Sequence, residues 1–212
     1  MTLSSITLVP PPVTGWLDGI ADRPVKHAGH TTIPVGSHYA LIWDDPHQGD
    51  IQAQGNRLLA VMDRARVLPA RPQQFMQDEA DFAARYKQCE NRVTHSLEAI
   101  GDCVQYSLTL HLPRSFKLKS SSSLRVKHKQ RRYLRTAIMA NAALLRPFME
   151  EVRPIMVDVL GPQLSAADKL CIHLLTRHAQ AGQILQSAMT DYLADHPSAL
   201  IGPLPSFSFA TL

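Results

Sequence analysis

One stretch decides the fold class: Val104-Gln105-Tyr106-Ser107-Leu108-Thr109-Leu110-His111-Leu112. Apolar side chains alternate with polar ones along it, which is the period of a β-strand with one apolar and one polar face. Just upstream, apolar residues recur every three or four positions from Phe82 to Ile100, which is typical of an amphipathic helix. Asp78 and Glu79 place negative charge at the start of this helix, and Gly101 ends it. A helix that leads into a strand with one polar face predicts an α+β layer.

The regions on either side give similar but weaker signals. Residues 37–43 alternate and are followed by a turn sequence, and residues 50–66 have helical spacing. Toward the C-terminus, residues 127–146 predict a helix with a basic start, after which prolines break or restart the helical path as far as Gly161-Pro162. Residues 170–204 then predict a strand, a helix and a final extended segment.

A serine-rich, basic stretch separates the two halves of the chain. Residues 114–123 include four consecutive serines and show no apolar periodicity, which is typical of a linker. We therefore expect an N-terminal α+β domain over residues 1–113, a linker over residues 114–124, and a C-terminal α+β domain over residues 125–212.

Composition indicates a globular protein outside the membrane. The 212 residues are 45% hydrophobic and 19% charged, and no apolar run approaches the ~18–20 residues that a membrane-spanning helix needs. The first twelve residues lack a basic segment before their apolar stretch and end in three prolines, which argues against a secretory signal. A cytoplasmic location is the expectation.

A search for chemical motifs finds no phosphate-binding loop, dinucleotide fingerprint, nucleophile elbow or zinc-protease helix. The three cysteines lie far apart and in no C-x-x-C pair: Cys89, Cys103 and Cys171. The spaced histidines have no adjacent carboxylate or thiol to complete a metal site, and these pairs are His27 with His30 and His173 with His178. We therefore predict no catalytic residue, no metal site and no cofactor.

The charge is unevenly distributed. The net charge is +4, and residues 114–135 contain nine basic residues and no acidic one. Three interpretations stay open: a solvated linker and helix start, a docking surface for an acidic protein partner, or a nucleic-acid-binding patch. The last is the weakest, because no known nucleic-acid-binding motif accompanies the charge. The residues that would carry partner binding are Lys127, Lys129, Arg131 and Arg132.

The C-terminus has its own physical signature. Pro203 and Pro205 favour an extended chain, and strand spacing would then direct Phe207 and Phe209 to the same side. We expect the two rings to be buried and to anchor the terminus.

Three stretches, in order along the chain, resemble motifs of the gas vesicle protein F/L family. They are Arg66-Val67-Leu68-Pro69-Ala70-Arg71, then Arg132-Tyr133-Leu134-Arg135, then Gly202-Pro203-Leu204-Pro205-Ser206-Phe207-Ser208-Phe209. Pro72-Gln73-Gln74 departs from the family's usual Phe-Gly-Thr turn. The positions that carry the likeness are Leu68, Pro69, Arg71, Tyr133, Gly202, Pro203, Pro205, Phe207, Ser208 and Phe209.

The resemblance implies a fold and a role. The fold would be α+β with two domains: an N-terminal ferredoxin-like domain and a C-terminal α+β domain with prominent helices. The role would be that of a non-enzymatic accessory factor of gas vesicle assembly that contacts the hydrophobic shell protein and other accessory proteins, with no small-molecule substrate. The alternative, from the residues themselves, is a basic nucleic-acid-binding or regulatory module that uses residues 114–135. A cryptic hydrolase is a weaker third.

Overall fold

Two antiparallel sheets organise the chain. The computed structural model describes residues 15–26, 29–43, 51–71, 74–111, 145–166 and 169–210. The chain divides into two units, the first ending at Gly101 and the second beginning at Asp102, and each contains a sheet with helices. The predicted α+β class is confirmed.

The first unit is built around a central strand. In chain order its elements are β1 (Gly15–Ala21), β2 (His30–Val35), β3 (His38–Trp43), α1 (Ile51–Met62), β4 (Val67–Pro69), β5 (Phe75–Met76) and α2 (Glu79–Ile100). The sheet order is β2-β3-β1-β4, and β5 pairs with β1 beyond the end of β4. The sequence did not predict β1, because Gly15, Asp18 and Gly19 have low strand propensity. Gly19 is needed because a Cβ there would lie 2.5 Å from the Leu68 carbonyl oxygen.

Helix α2 begins and ends where its sequence predicts. Asp78 is the N-cap, and its carboxylate accepts hydrogen bonds from the backbone N–H groups of Ala80 and Asp81. Gly101 follows the last helical residue. The predicted apolar stripe is fully buried only at Tyr86, Val93 and Leu97, whereas Phe82, Cys89 and Ile100 are half-buried.

The second unit has the β-α-β-β-α-β order of a split βαβ fold. Its elements are β6 (Val104–His111), a helix α3 over residues 145–152, a short 3₁₀ turn (Arg153–Ile155), β7 (Met156–Ala166), β8 (Lys169–Thr176), α4 (Ala181–Leu193) and β9 (Ser198–Pro205). The sheet order is β7-β8-β6-β9. The sequence predicted β6, β8, α4 and β9, but it treated residues 156–162 as part of a broken helical path, whereas they lie in β7.

Strand β6 differs from its sequence interpretation in two ways. The sequence placed it in an N-terminal domain over residues 1–113, but it pairs with β8 and β9, and its apolar face packs with Phe148 and Leu185 in the core of the second unit. The sequence also predicted an open polar face, yet Gln105 and Ser107 are buried. Alternation reveals which side chains share a face, but it does not reveal what covers that face.

Both edge strands of the second sheet are interrupted by a Gly-Pro pair. The pairing of β7 with β8 shifts register at Gly161-Pro162, and the pairing of β9 with β6 shifts at Gly202-Pro203. Both glycines have positive φ, +115° and +149°. These positions are bulges in the edge strands.

Candidate functional site

A cleft of about 530 Å³ opens in the first unit between strands β1 and β5 and the N-terminal half of α2. Its lining is formed by Leu17, Ile20, Gln74, Phe75, Met76, Gln77, Asp78, Asp81, Phe82, Arg85, Tyr86 and Cys89. The volume falls in the usual range of ~300–1,000 Å³ for binding sites. Phe82 and Cys89 of the α2 stripe line this cleft, which explains why they are not fully buried.

The floor of the cleft is apolar and its wall is aromatic. Leu17, Ile20 and Met76 are almost completely buried below it. Phe75 remains 43% exposed, although its ring packs edge-to-face on Trp16 with centroids 5.0 Å apart. An exposed ring fixed by a neighbouring aromatic can bury further apolar area against a partner without losing much additional side-chain entropy.

The rim of the cleft is charged and predominantly acidic. Asp78, Glu79 and Asp81 occupy the cap and first turn of α2. Arg85 lies one turn further along and forms an exposed ion pair with Asp81 at 2.6 Å. Of these carboxylates, Asp78 and Asp81 line the cleft, together with the guanidinium of Arg85, which is already paired.

A polar network fastens α2 to the sheet behind the cleft. The Tyr86 hydroxyl lies 2.7 Å from Nδ1 of His38, and Ser37 donates both its backbone N–H and its hydroxyl to Glu90, at 2.7 and 2.9 Å. The bond from the Ser37 backbone N–H, followed by that from its hydroxyl, holds the pKa of Glu90 below its usual value. Burial raises the pKa of Tyr86, so its hydroxyl stays neutral and available for hydrogen bonding. The turn between β2 and β3 thereby fixes α2 in place, and the cleft is preformed.

A second polar cluster lies in the same unit and is closed to solvent. The Asp18 carboxylate accepts two hydrogen bonds from Arg57, at 2.7 and 2.8 Å, and lies 2.8 Å from Nε2 of His30. The Arg57 guanidinium also stacks 4.4 Å over the Trp43 ring. Burial raises the pKa of Asp18, but the hydrogen bonds from Arg57 and His30 outweigh it and leave that pKa below its usual value. Because the Asp18 side chain is only 2% exposed and its oxygens are occupied, the cluster serves the fold.

The described residues contain no group of three or more His, Cys, Asp and Glu side chains arranged to bind a metal ion. The spaced histidines have separate roles. His30 contacts Asp18, His173 lies 2.9 Å from the Ser107 hydroxyl, and Nδ1 of His178 accepts from the Gln180 N–H. Burial lowers the pKa of His173, which favours its neutral form. His27 lies outside the described residues.

The residues predicted from sequence to carry function fall in different places. Lys127, Lys129, Arg131, Arg132 and Tyr133 lie outside the described part of the chain. In β4, Leu68 and Pro69 pair with β1, and Leu68 is buried; Arg71 follows β4 and is exposed. None of the nine motif positions that the structure describes lines the cleft. The sequence signal for the cleft was a set of aromatic residues, Trp16, Phe75 and Phe82, but nothing local shows that the chain brings them together.

The C-terminal motif forms a strand and then a turn. Gly202, Pro203 and Pro205 lie in β9, as the extended interpretation predicted. Beyond Pro205 the chain turns, with the N–H groups of Phe209 and Ala210 both donating to the Ser206 carbonyl. The expectation that Phe207 and Phe209 project at strand spacing into full burial is therefore wrong, and both rings are half-buried.

Gln105 holds this turn from the neighbouring strand. Its side-chain oxygen accepts from the Ser208 N–H at 2.9 Å, and its amide nitrogen donates to the Ser107 hydroxyl at 3.2 Å. The terminus is thus anchored by a buried amide as well as by the two half-buried rings.

The three thiols should differ sharply in reactivity. Cys89 is half-buried at the cleft, whereas Cys103 and Cys171 are buried. Burial raises the pKa of Cys103 to about 11 and also raises that of Cys171. Because only the thiolate attacks, and a pKa near 11 leaves ~0.1% thiolate at pH 8, we expect one fast and two slow thiols with a disulfide reagent at pH 8. Cys89→Ser should abolish the fast phase. Two or more fast thiols in the folded wild type would contradict these burial assignments.

The architecture matches solved structures along almost the whole chain. The crystal structure of the gas vesicle protein GvpF from Anabaena sp. PCC7120 superposes with a TM-score of 0.71, covering 94% of this chain and 97% of that one at 11% identity. The chain has the GvpF fold. GvpF from Microcystis aeruginosa gives the same TM-score and identity, with 93% of this chain and 98% of that one covered. The likeness includes both units, so the predicted resemblance to the gas vesicle F/L family holds at the level of the fold.

Other comparisons give no further relatives. No protein-family model matches the sequence, and no curated protein matches it. None of the described helices is long and apolar enough to cross a membrane.

Proposed function

We propose that this chain is a non-enzymatic accessory protein of gas vesicle assembly that binds the hydrophobic shell protein in the cytoplasm and shields it before it joins the vesicle wall. The observation that carries the proposal is the GvpF fold along 94% of the chain. That likeness covers the first unit together with the second, which favours a role for the whole protein.

The cleft supplies a physical basis for shell binding. A subunit with an exposed apolar face associates nonspecifically unless that face is covered. The floor and aromatic wall of the cleft offer apolar surface, and the charged rim keeps that surface from being a continuous hydrophobic patch. Equilibrium binding suffices for such a shield, so no nucleotide or metal is needed. The absence of phosphate-loop and zinc motifs from the sequence agrees with this role.

Co-expression with the shell protein tests the proposal. We expect the two proteins to co-purify in a fixed ratio, and we expect light scattering to show suppressed aggregation of the shell protein. Phe75→Ala should weaken both effects, because it removes the exposed wall of the cleft. Ile201→Ala is the matched control, since Ile201 is an exposed apolar residue of the second unit. Failure of the wild type to co-purify, together with unchanged aggregation, would rule out the shielding role.

The nucleic-acid alternative can be tested in parallel. If residues 114–135 bind phosphates, the wild type should retard oligonucleotides with a steep salt dependence. Charge reversal at Lys127, Lys129, Arg131 and Arg132 should then abolish the retardation. If these residues instead dock a protein partner, the same variant should lose binding to the shell protein while the fold survives.

A further inference from the structure

The described sheet edges limit how a partner can bind. Strand addition needs an uninterrupted row of free backbone donors and acceptors. Pro34 removes a donor from β2, Pro162 removes one from β7, and Pro203 removes one from β9. The β4 edge is partly occupied, because the Val67 N–H donates to the Gly101 carbonyl at 2.8 Å. Each edge strand named here is thus a poor template for another strand.

The cleft favours side-chain insertion instead. It lies between a helix and a strand, and its volume of about 530 Å³ accommodates a few side chains but not a whole chain segment. A helix that presents apolar residues at positions i, i+3 and i+4 delivers such a cluster from one face. Its backbone hydrogen bonds are internal, so it needs no pairing with a sheet edge.

The rim selects the charge of the partner. Two carboxylates, those of Asp78 and Asp81, line the cleft beside one cation, Arg85, which is already paired with Asp81. The chain as a whole carries a net charge of +4, so this acidic rim contrasts with the rest of the protein. A partner with lysine or arginine beside its apolar face would gain from this field, whereas an acidic partner would be repelled.

We propose that the cleft binds a basic amphipathic helix of the shell protein, with apolar side chains inserted between Phe75 and Phe82 and a lysine or arginine next to Asp81. This inference rests on the proposed function and deepens it: it gives the shell-binding site, the binding mode and the chemistry of the bound segment.

Three fluorescent synthetic peptides test the inference on the full chain by anisotropy. The first is a helical leucine and alanine peptide flanked by lysines, the second replaces each lysine with glutamate, and the third alternates valine and threonine with lysine flanks to favour a strand. We expect the first to bind about tenfold more tightly than either of the others, with an affinity that falls as salt rises. It should also protect Cys89 from thiol reagents.

Charge reversal at the rim is the decisive variant. Asp81→Lys should weaken the first peptide about tenfold, since an attraction is replaced by a repulsion. Glu150→Lys is the matched control, because Glu150 forms the same kind of exposed i,i+4 pair with Arg146 in the second unit. This control should change the affinity for the first peptide by less than about twofold.

The outcomes separate the inference from the proposed function. Equal binding of the lysine and glutamate peptides, preference for the strand peptide, or no effect of Asp81→Lys would overturn the inference. If the shell protein still co-purified with Asp81→Lys and Phe75→Ala at wild-type levels, the proposed function would stand and the cleft would be the wrong site. If the first peptide bound as expected but the shell protein did not, the proposed function would fall, and with it the shell helix as occupant.

Discussion

Arg57→Ala is expected to lower the free energy of unfolding by about 3–5 kcal/mol, which is the usual cost of removing one partner from a buried ion pair. The substitution would leave the Asp18 carboxylate, 2% exposed, without its two hydrogen bonds from the guanidinium. It would also remove the cation stacked on Trp43. Chemical denaturation followed by tryptophan fluorescence measures the change.

Two comparisons control this experiment. Arg85→Ala breaks an exposed pair with Asp81 and should cost no more than about 1 kcal/mol. The double variant Asp18→Asn, Arg57→Met removes both charges while keeping similar volumes, so it should be more stable than Arg57→Ala. A double variant less stable than the single one would show that the cost does not arise from an unpaired carboxylate.

The pH dependence supplies an independent check on the same cluster. Because the pKa of Asp18 is lower in the folded protein than in the unfolded chain, the folded state binds the proton less tightly. The stability that this pKa difference contributes is fully present at pH values above the unfolded-state pKa of ~3.9. It is lost as the pH falls through the folded-state pKa. Asp18→Asn should therefore remove part of the acid sensitivity of the wild type below about pH 4. An unchanged acid transition would contradict this assignment.

Removal of residues 202–212 is the second change with a large expected effect. It should lower the free energy of unfolding by about 3–5 kcal/mol. The deletion takes away the end of β9 and the turn that carries Phe207 and Phe209. Two half-buried rings contribute roughly 1 kcal/mol each, and a buried Gln105 amide left without its Ser208 partner costs about 1–3 kcal/mol. Hydrogen exchange would localise the change, since the amides of β6 should lose protection first.

A point substitution tests how much of this lost stability comes from the amide and how much comes from the rings. Gln105→Met keeps the volume but cannot accept from the Ser208 N–H, so it should reproduce about 1–3 kcal/mol of the deletion. An unchanged melting midpoint in the truncated protein would show that the terminus is not anchored. If the truncated protein loses stability but Gln105→Met does not, the rings and not the amide anchor the terminus.

Much of the fold follows from local patterns. Strand β6, helix α2 with its Asp78 cap, and the final elements from β8 to β9 were predicted because their periodicity and end signals lie within a few residues of each other. Strand β1 was missed because Gly15, Asp18 and Gly19 suit a strand only once β3, β4 and α1 surround them. The Gly161-Pro162 pair resembles a breaker in the sequence but occupies a bulge in an edge strand.

The candidate site was less predictable than the fold. Phe75 meets Trp16 only through the pairing of β5 with β1, which joins positions about sixty residues apart. The half-buried state of Phe82 and Cys89 likewise depends on the cleft that forms between α2 and strands β1 and β5. The salt link between Asp18 and Arg57 joins an unpredicted strand to a predicted helix, so its charges resembled ordinary surface residues in the sequence.

The central position of β6 has a consequence for how the protein is made. The first unit is complete at Gly101, so it can fold while the ribosome is still producing the remainder of the chain. The second unit cannot, because β6 pairs with β9 and Gln105 binds a residue 103 positions later. Its first strand therefore lacks one of its two neighbouring strands until residues 198–208 have been translated. Any nascent-chain factor or ribosome stalling that acts between these two events would therefore affect the second unit and leave the cleft-bearing unit already formed.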